Sequence, residues 1–369
     1  MVVIMSSLIY IYFVLTTSLI SAAPDNSGSF IGSGTNAIYF TERDPSVRKC
    51  RHSKVYGMVQ AMCADLNLQQ IPPNLQSNIQ VLEFSGNRLR ELTNNTLLSY
   101  TSLSYVYFVD NFIRNIEDGA FMKLRNLQVL DLTTNAITDF PKNILSLPQL
   151  RSLYLSDNKL KDDALVPISS IEDSNIEILD LSRNLLNKLP PARALTQLKE
   201  LNVSGNSISF IKASEIAAFC SLKTLDISHN PVVSIDNCEC QEINAWIKFN
   251  KIKMIPPKVS CSSSDIPTES AKCILTTPSP ERLISNETMQ VYNNCKNNIV
   301  MREQLIKARN TWIIASSCIG VIIIITLVAL YLIRRRNKKR KFRNVTNNLA
   351  ATHNVNDELL NGNSINEKK

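Results

Sequence analysis

Apolar and polar positions alternate along the middle of the chain in one repeating figure. It is clearest at Leu127-Gln128-Val129-Leu130-Asp131-Leu132-Thr133-Thr134-Asn135-Ala136-Ile137, which reads LxxLxLxxNxL. The figure recurs with its asparagine at 87, 111, 135, 158, 184, 206 and 230, in steps of 24, 24, 23, 26, 22 and 24 residues. Inside each figure the LxL core points alternately in and out, which predicts a short strand. The asparagine then turns the chain out of the strand, and its amide is expected to bond backbone groups of the neighbouring turns. One such unit cannot bury its own leucines. Seven stacked units bury a continuous core and align their strands in one parallel sheet, an α/β solenoid with the residues between the leucines on its concave side.

A period of this length with this consensus resembles the leucine-rich repeat. Two flanking segments resemble the caps of extracellular leucine-rich-repeat proteins. At the N-terminal end these residues are Cys50 and Cys63-Ala64-Asp65-Leu66-Asn67-Leu68-Gln69-Gln70-Ile71-Pro72-Pro73-Asn74-Leu75. At the C-terminal end they are Asn230-Pro231, Cys238-Glu239-Cys240, Trp246, Cys261 and Cys273. The resemblance implies a horseshoe with a parallel concave sheet and disulfide-bonded caps. It implies Cys50–Cys63 at one end, and Cys238–Cys261 with Cys240–Cys273 at the other, with Trp246 over the last repeat. A zinc site is the rival for the second cluster; wide spacing and a secreted setting argue for disulfides. Cys220 and Cys295 are left as free thiols, as a pair, or with Cys295 bridging two chains into a dimer; a part-buried thiol is expected for Cys220.

Two segments are almost wholly apolar, Val2–Ile20 and Trp312–Ile333. The first ends at Ser21-Ala22-Ala23 and reads as a secretory signal, with an uncleaved anchor as the alternative. The second is long enough to cross a bilayer as a helix. Arg334, Arg335, Arg336, Lys338, Lys339, Arg340, Lys341 and Arg343 follow it, placing the tail inside and the repeats outside, a single-pass type I protein of the plasma membrane. Those eight side chains are candidates for contact with anionic inner-leaflet lipids. The expected order is a signal peptide at 1–23, an unstructured lead-in at 24–49, an N-terminal cap at 50–78 and seven repeats at 79–232. A C-terminal cap at 233–273, a stalk at 274–311, the membrane helix at 312–333 and a basic cytoplasmic tail at 334–369 complete it. The longest step between repeats is filled by Lys161–Asn175, the expected loop excursion.

Charge changes this picture little. The net charge of +8 sits almost entirely in the tail, so it is no argument for nucleic-acid binding. The chain holds three histidines, no phosphate loop and no nucleophile elbow, so no enzyme and no cofactor is expected. Function is expected on the outward strand positions. One column reads Glu83, Tyr107, Asp131, Tyr154, Asp180, Asn202 and Asp226; the next reads Val81, Tyr105, Val129, Ser152, Ile178, Glu200 and Thr224. Tyr105, Tyr107, Asp131, Tyr154 and Asp180 are the candidate ligand-binding residues, weighed evenly against their being repeat filler. Asn94, Asn202 and Asn286 open glycosylation sequons. The resemblance implies a cell-surface receptor or adhesion molecule for a protein ligand; a co-receptor or modulator acting through a partner's signalling domain is the alternative.

Overall fold

The structure is a computed structural model that describes residues 49–141, 143–171, 174–232, 237–261 and 283–363. The expected signal peptide, all of the lead-in but Lys49, Cys273 and the first part of the stalk fall outside these residues. The strands are β1 (Arg51–Val55), β2 (Met58–Met62), β3 (Val81–Glu83), β4 (Glu91–Leu92), β5 (Tyr105–Tyr107), β6 (Asn115–Ile116), β7 (Val129–Asp131), β8 (Ser152–Tyr154), β9 (Ile178–Asp180), β10 (Glu200–Asn202), β11 (Thr224–Asp226) and β12 (Lys253–Ile255). The helices are α1 (Asp162–Leu165), α2 (Ala213–Ala217), α3 (Asn237–Phe249) and α4 (Asn286–Asn363).

Each predicted LxL core becomes a three-residue strand. Its middle side chain, from Leu82 through Val106, Leu130, Leu153, Leu179 and Leu201 to Leu225, is at most 1% exposed. These strands stack in parallel and in register, and the full sheet runs β1-β2-β3-β5-β7-β8-β9-β10-β11-β12. The short pair β4–β6 forms a second, separate sheet. The asparagines close the stack as expected. Asn135 donates to the carbonyls of Phe108 (2.9 Å) and Leu132 (3.0 Å) and accepts from the Ile113 N–H (3.0 Å). Equivalent bonds recur from Asn87 to Asn230, so each amide ties its own turn to the preceding one. The residue before each asparagine (Gly86, Asp110, Thr134, Asp157, Arg183, Gly205 and His229) has a left-handed backbone. Only two of the seven are glycine, so the other five carry a steric cost of about 1 kcal/mol each. The asparagine ladder offsets it.

The expected loop excursion is instead built from α1 and a 3-10 turn over Val166–Ser170. Leu165 and Ile168 are buried there, so this stretch contributes to the core.

The two ends of the sheet are closed differently. At the N-terminal end β1 and β2 form an antiparallel hairpin, β2 pairs in parallel with β3, and Cys50 bonds Cys63. At the C-terminal end α3 crosses the last repeat and β12 adds in parallel to β11. Here the expected pairing is corrected: Cys240 bonds Cys261, which excludes both Cys238–Cys261 and Cys240–Cys273. Residues two apart on a helix point nearly opposite ways, so only one of Cys238 and Cys240 can meet Cys261. Asn244, one turn beyond Cys240 on the same face, fixes which. Its amide donates to the Val259 carbonyl (3.0 Å) and accepts from the Val259 N–H (2.9 Å), drawing the segment that carries Cys261 to Cys240. Cys238 is also disulfide-bonded.

The expected stalk differs as well. From Asn286 onward the chain is helical and docks on the solenoid. Thr288, Tyr292, Cys295, Ile299 and Arg302 form a stripe of buried and half-buried side chains at steps of three and four. The Tyr292 ring meets Trp246 edge-on, 5.2 Å between centroids. The Thr288 hydroxyl donates to Glu242 (2.7 Å), and Arg302 donates to the Asn175 side chain (2.9 Å). Cys295 bonds Cys220, so Cys220 is no free thiol, and Cys295 is used within the chain and is not left to bridge two chains.

Candidate ligand-binding face

Register puts the predicted residues in one lateral row. Glu83 pairs with Tyr107, Tyr107 with Asp131, Asp131 with Tyr154, Tyr154 with Asp180, and Asp180 with Asn202. At about 4.8 Å per strand the two tyrosines stand about 10 Å apart with a carboxylate between them. Tyr105 lies on the same face as Tyr107, because Val106 between them points inward. Its hydroxyl donates to Gln128 (3.1 Å). The five candidates are therefore brought together as contiguous surface.

The acidic members of the row have a structural task too. The side chains of Glu83, Asp131, Asp180, Asn202 and Asp226 each accept the backbone N–H two residues on, at 2.8–3.1 Å. That bond holds the turn leaving the strand, and it explains why the column repeats an acceptor side chain, Asp, Asn or Glu. At Glu83 and Asp131 one carboxylate oxygen is thus used by the turn; Asp180 uses both, the second accepting from Asn202.

Electrostatically the row is poised for a cation. Burial pushes the carboxyl of Asp131 above its ordinary range, and the neighbouring Asp180 adds to this against the bond from Thr133. Burial raises Glu83 likewise, with Asp131 and Asp65 adding. Burial, then Glu83 and Asp131, push the Tyr107 hydroxyl up to about 12, so it stays neutral. Tyr154 is raised as well, mainly by burial. A guanidinium or ammonium laid over Asp131 would meet carboxylate below and aromatic rings on both sides, the geometry of cation–π contact.

A third concave column, just before the strands, carries residues the sequence pattern did not single out. Glu177 receives Lys199 at 2.7 Å and Arg151 at 4.0 Å. At the far edge Asp157 pairs with Arg183 at 3.5 Å, both largely exposed, a contact worth at most about 1 kcal/mol.

The three predicted sequons differ in setting. Asn94 and Asn286 are exposed. Asn202 lies in the strand row and donates to Asp180 at 3.2 Å.

Comparison with known sequences agrees with this architecture. A family model described as leucine rich repeat matches residues 101–160 and 174–232. Tsukushi of Gallus gallus is 26% identical over 199 residues, covering 53% of this chain and 53% of Tsukushi. Lumican of Mus musculus is 29% identical over 236 residues, covering 56% of this chain and 68% of lumican. The crystal structure of the mouse RP105/MD-1 complex aligns at 24% identity with a TM-score of 0.42, over 48% of this chain and 30% of that one. The chain spans about half the length of Tsukushi. Seven stacked repeats on an asparagine ladder, disulfide-bonded ends and, among the described residues, one exposed apolar helix long enough to cross a membrane lead to one conclusion: the chain has the leucine-rich-repeat fold and is similar to extracellular leucine-rich-repeat proteins.

Proposed function

We propose that this protein is a cell-surface recognition molecule, a receptor or adhesion protein, that binds a basic protein surface on the N-terminal half of its concave face. The observation that carries this is the row Glu83–Tyr107–Asp131–Tyr154–Asp180, in which half-buried tyrosines alternate with carboxylates. Tyrosines on an exposed sheet beside such acids suit the hot spots of protein interfaces. In the same proposal the repeats face outside and α4 crosses the plasma membrane once through Trp312–Ile333. The exposed cations of Arg334–Arg343 then lie against anionic lipids of the inner leaflet. A glycan at Asn202 would cover the C-terminal half of the face and confine the ligand to the earlier repeats; Asn94 and Asn286 are the other proposed acceptors.

The test uses the full chain displayed on cells and an unbiased panel of soluble surface proteins. For a captured ligand, Tyr107→Ala and Tyr154→Ala should each weaken binding by about 1–3 kcal/mol at unchanged surface level. Binding that survives both substitutions, yet is lost on altering the convex side, moves the site elsewhere. Aggregation of the displaying cells separates adhesion from a modulator that works through a partner.

A further inference from the structure

Helix α3 stops in an unusual way. The Ile252 N–H donates to the Ile247 carbonyl (3.0 Å) and the Lys251 N–H to the Lys248 carbonyl (3.3 Å), a closure that needs a left-handed residue at 251. Glycine is the residue that fits such a position without steric cost. Here it is Lys251, at φ +55°. The next strand begins with Lys253, whose N–H donates to the carbonyl of Lys223 one strand over. Lys248, Lys251, Lys253 and Lys258 are all exposed and line one open depression.

Among the described residues no carboxylate lines this depression. The three ion pairs seen among the described residues all lie elsewhere. The amide of Asn244, the remaining polar side chain in the lining, is consumed by Val259. What faces solvent is therefore a set of like charges around a small apolar floor, placed by a backbone that bears strain to hold one of them. Mutual repulsion in such a set is relieved by an anion.

We propose that this depression on the C-terminal cap is a binding site for a sulfated glycosaminoglycan chain. A single phosphate or sulfate is normally held by a fork of guanidinium or a cradle of backbone N–H groups, and the lining offers neither. Lysines are point charges on flexible stems, suited to a polymer that carries a charge on every sugar. An acidic protein segment would call for directional partners, and Asn244 is already used. Membrane headgroups are excluded by distance, a step that rests on the proposed outside placement of the repeats. Glu242 on α3 accepts from Ser285 and Thr288, so α4 begins level with the cap. From Asn286 to Trp312 the helix is unbroken, and 26 residues rise about 39 Å. That is several Debye lengths at physiological salt.

The full chain in phosphatidylcholine nanodiscs exposes both faces, so binding there does not depend on topology. The probes are a heparin oligosaccharide and polyglutamate of matched charge. Replacing Lys248, Lys253 and Lys258 together by Gln should weaken heparin binding at least tenfold and flatten its salt dependence. Lys251→Gly should weaken it severalfold without lowering the melting temperature, because glycine suits φ +55°. Replacing the eight basic residues of Arg334–Arg343 by Gln should leave it unchanged. Equal heparin binding by the cap variants and the parent overturns the site. Tighter binding of polyglutamate with the same lysine dependence transfers it to an acidic protein. Heparin added to cells separates the two levels of the proposal: capture on intact cells supports the outside placement, whereas capture only after permeabilisation overturns that placement and leaves the nanodisc result standing.

Discussion

The two ends of the solenoid close the same sheet with different material. The N-terminal end uses a hairpin and one disulfide across a separation of 13 residues. The C-terminal end uses α3, β12, the Cys240–Cys261 bond and a docked α4 stapled through Cys220–Cys295 across 75 residues. The surfaces beside them differ in the same sense. Next to the light cap, half-buried tyrosines and buried or half-buried carboxylates share one row. Next to the heavy cap, lysines stand exposed around a depression. An edge of sheet can be covered cheaply where nothing pulls on it. The heavier closure sits where the solenoid joins α4, among the described residues the one helix long and apolar enough to cross a membrane, and there α4 must hold its angle to the repeats.

The sharpest way to break this contrast is to cut one disulfide at each end. By the chain-entropy estimate a 75-residue closure contributes about 4.5 kcal/mol and a 13-residue one about 3 kcal/mol. Cys295→Ser should therefore lower the unfolding free energy of the detergent-solubilised chain more than Cys50→Ser does, read by circular dichroism in urea. It should also open residues 286–302 to protease. If Cys295→Ser leaves both stability and protection intact, the Trp246–Tyr292 and Glu242–Thr288 contacts alone hold α4, and the staple is dispensable.

The left-handed turn positions allow a second comparison. A Cβ added at Gly86 would collide with the carboxylate oxygen of Asp65, a short side chain close to its own backbone. At Gly205 the nearest atom is Cγ of Arg183, 3.1 Å away on a long flexible side chain. Both glycines have positive φ. Gly86→Ala should cost roughly 2–3 kcal/mol and Gly205→Ala about 1 kcal/mol in thermal unfolding. Equal costs would mean that the backbone conformation dominates and that contact with the N-terminal cap adds nothing.

Most of the repeat body was legible in the sequence because one physical requirement, burying a leucine at each strand, repeats at fixed spacing. The register followed from the asparagines, whose amides cannot be satisfied unless the turns stack. The caps were less legible. Which of Cys238 and Cys240 faces Cys261 depends on helix phase and on Asn244, neither of which spacing reveals. The docked part of α4 did carry a helical stripe, 288/292/295/299/302, but it is written in Thr, Tyr, Cys, Ile and Arg. Apolar periodicity alone passes over such a stripe, and its asparagine-rich surroundings look like a linker. The candidate row was visible as a column of residues. Its double duty was not, because the bond from each carboxylate to the N–H two residues on appears only in three dimensions.

That double duty yields the finest test of the contrast between the ends. Asp131 is 8% exposed, and its folded pKa lies above the ordinary 3.8. The native state thus holds the proton more tightly than the unfolded chain does. The stability this contributes is fully present below the ordinary value and is lost as pH rises through the folded pKa. Glu83 behaves the same way from 4.5. At neutral pH the N-terminal row is therefore a mild liability to the fold, maintained at the position where a cationic partner would compensate it. Asp131→Asn removes the charge and keeps the acceptor for Thr133; Asn202 already accepts from Ser204 in this way at 3.0 Å. The variant should be as stable as the parent at pH 7 or more so, by up to about 1 kcal/mol, with a flatter loss of stability as pH rises from 4 to 7. Its affinity for a basic ligand should fall, and the rise of affinity with pH expected for the parent over that range should shrink. Should Asp131→Asn instead lose more than about 1 kcal/mol at pH 7, the carboxylate belongs to the fold alone, and the binding face must be sought on the tyrosines without it.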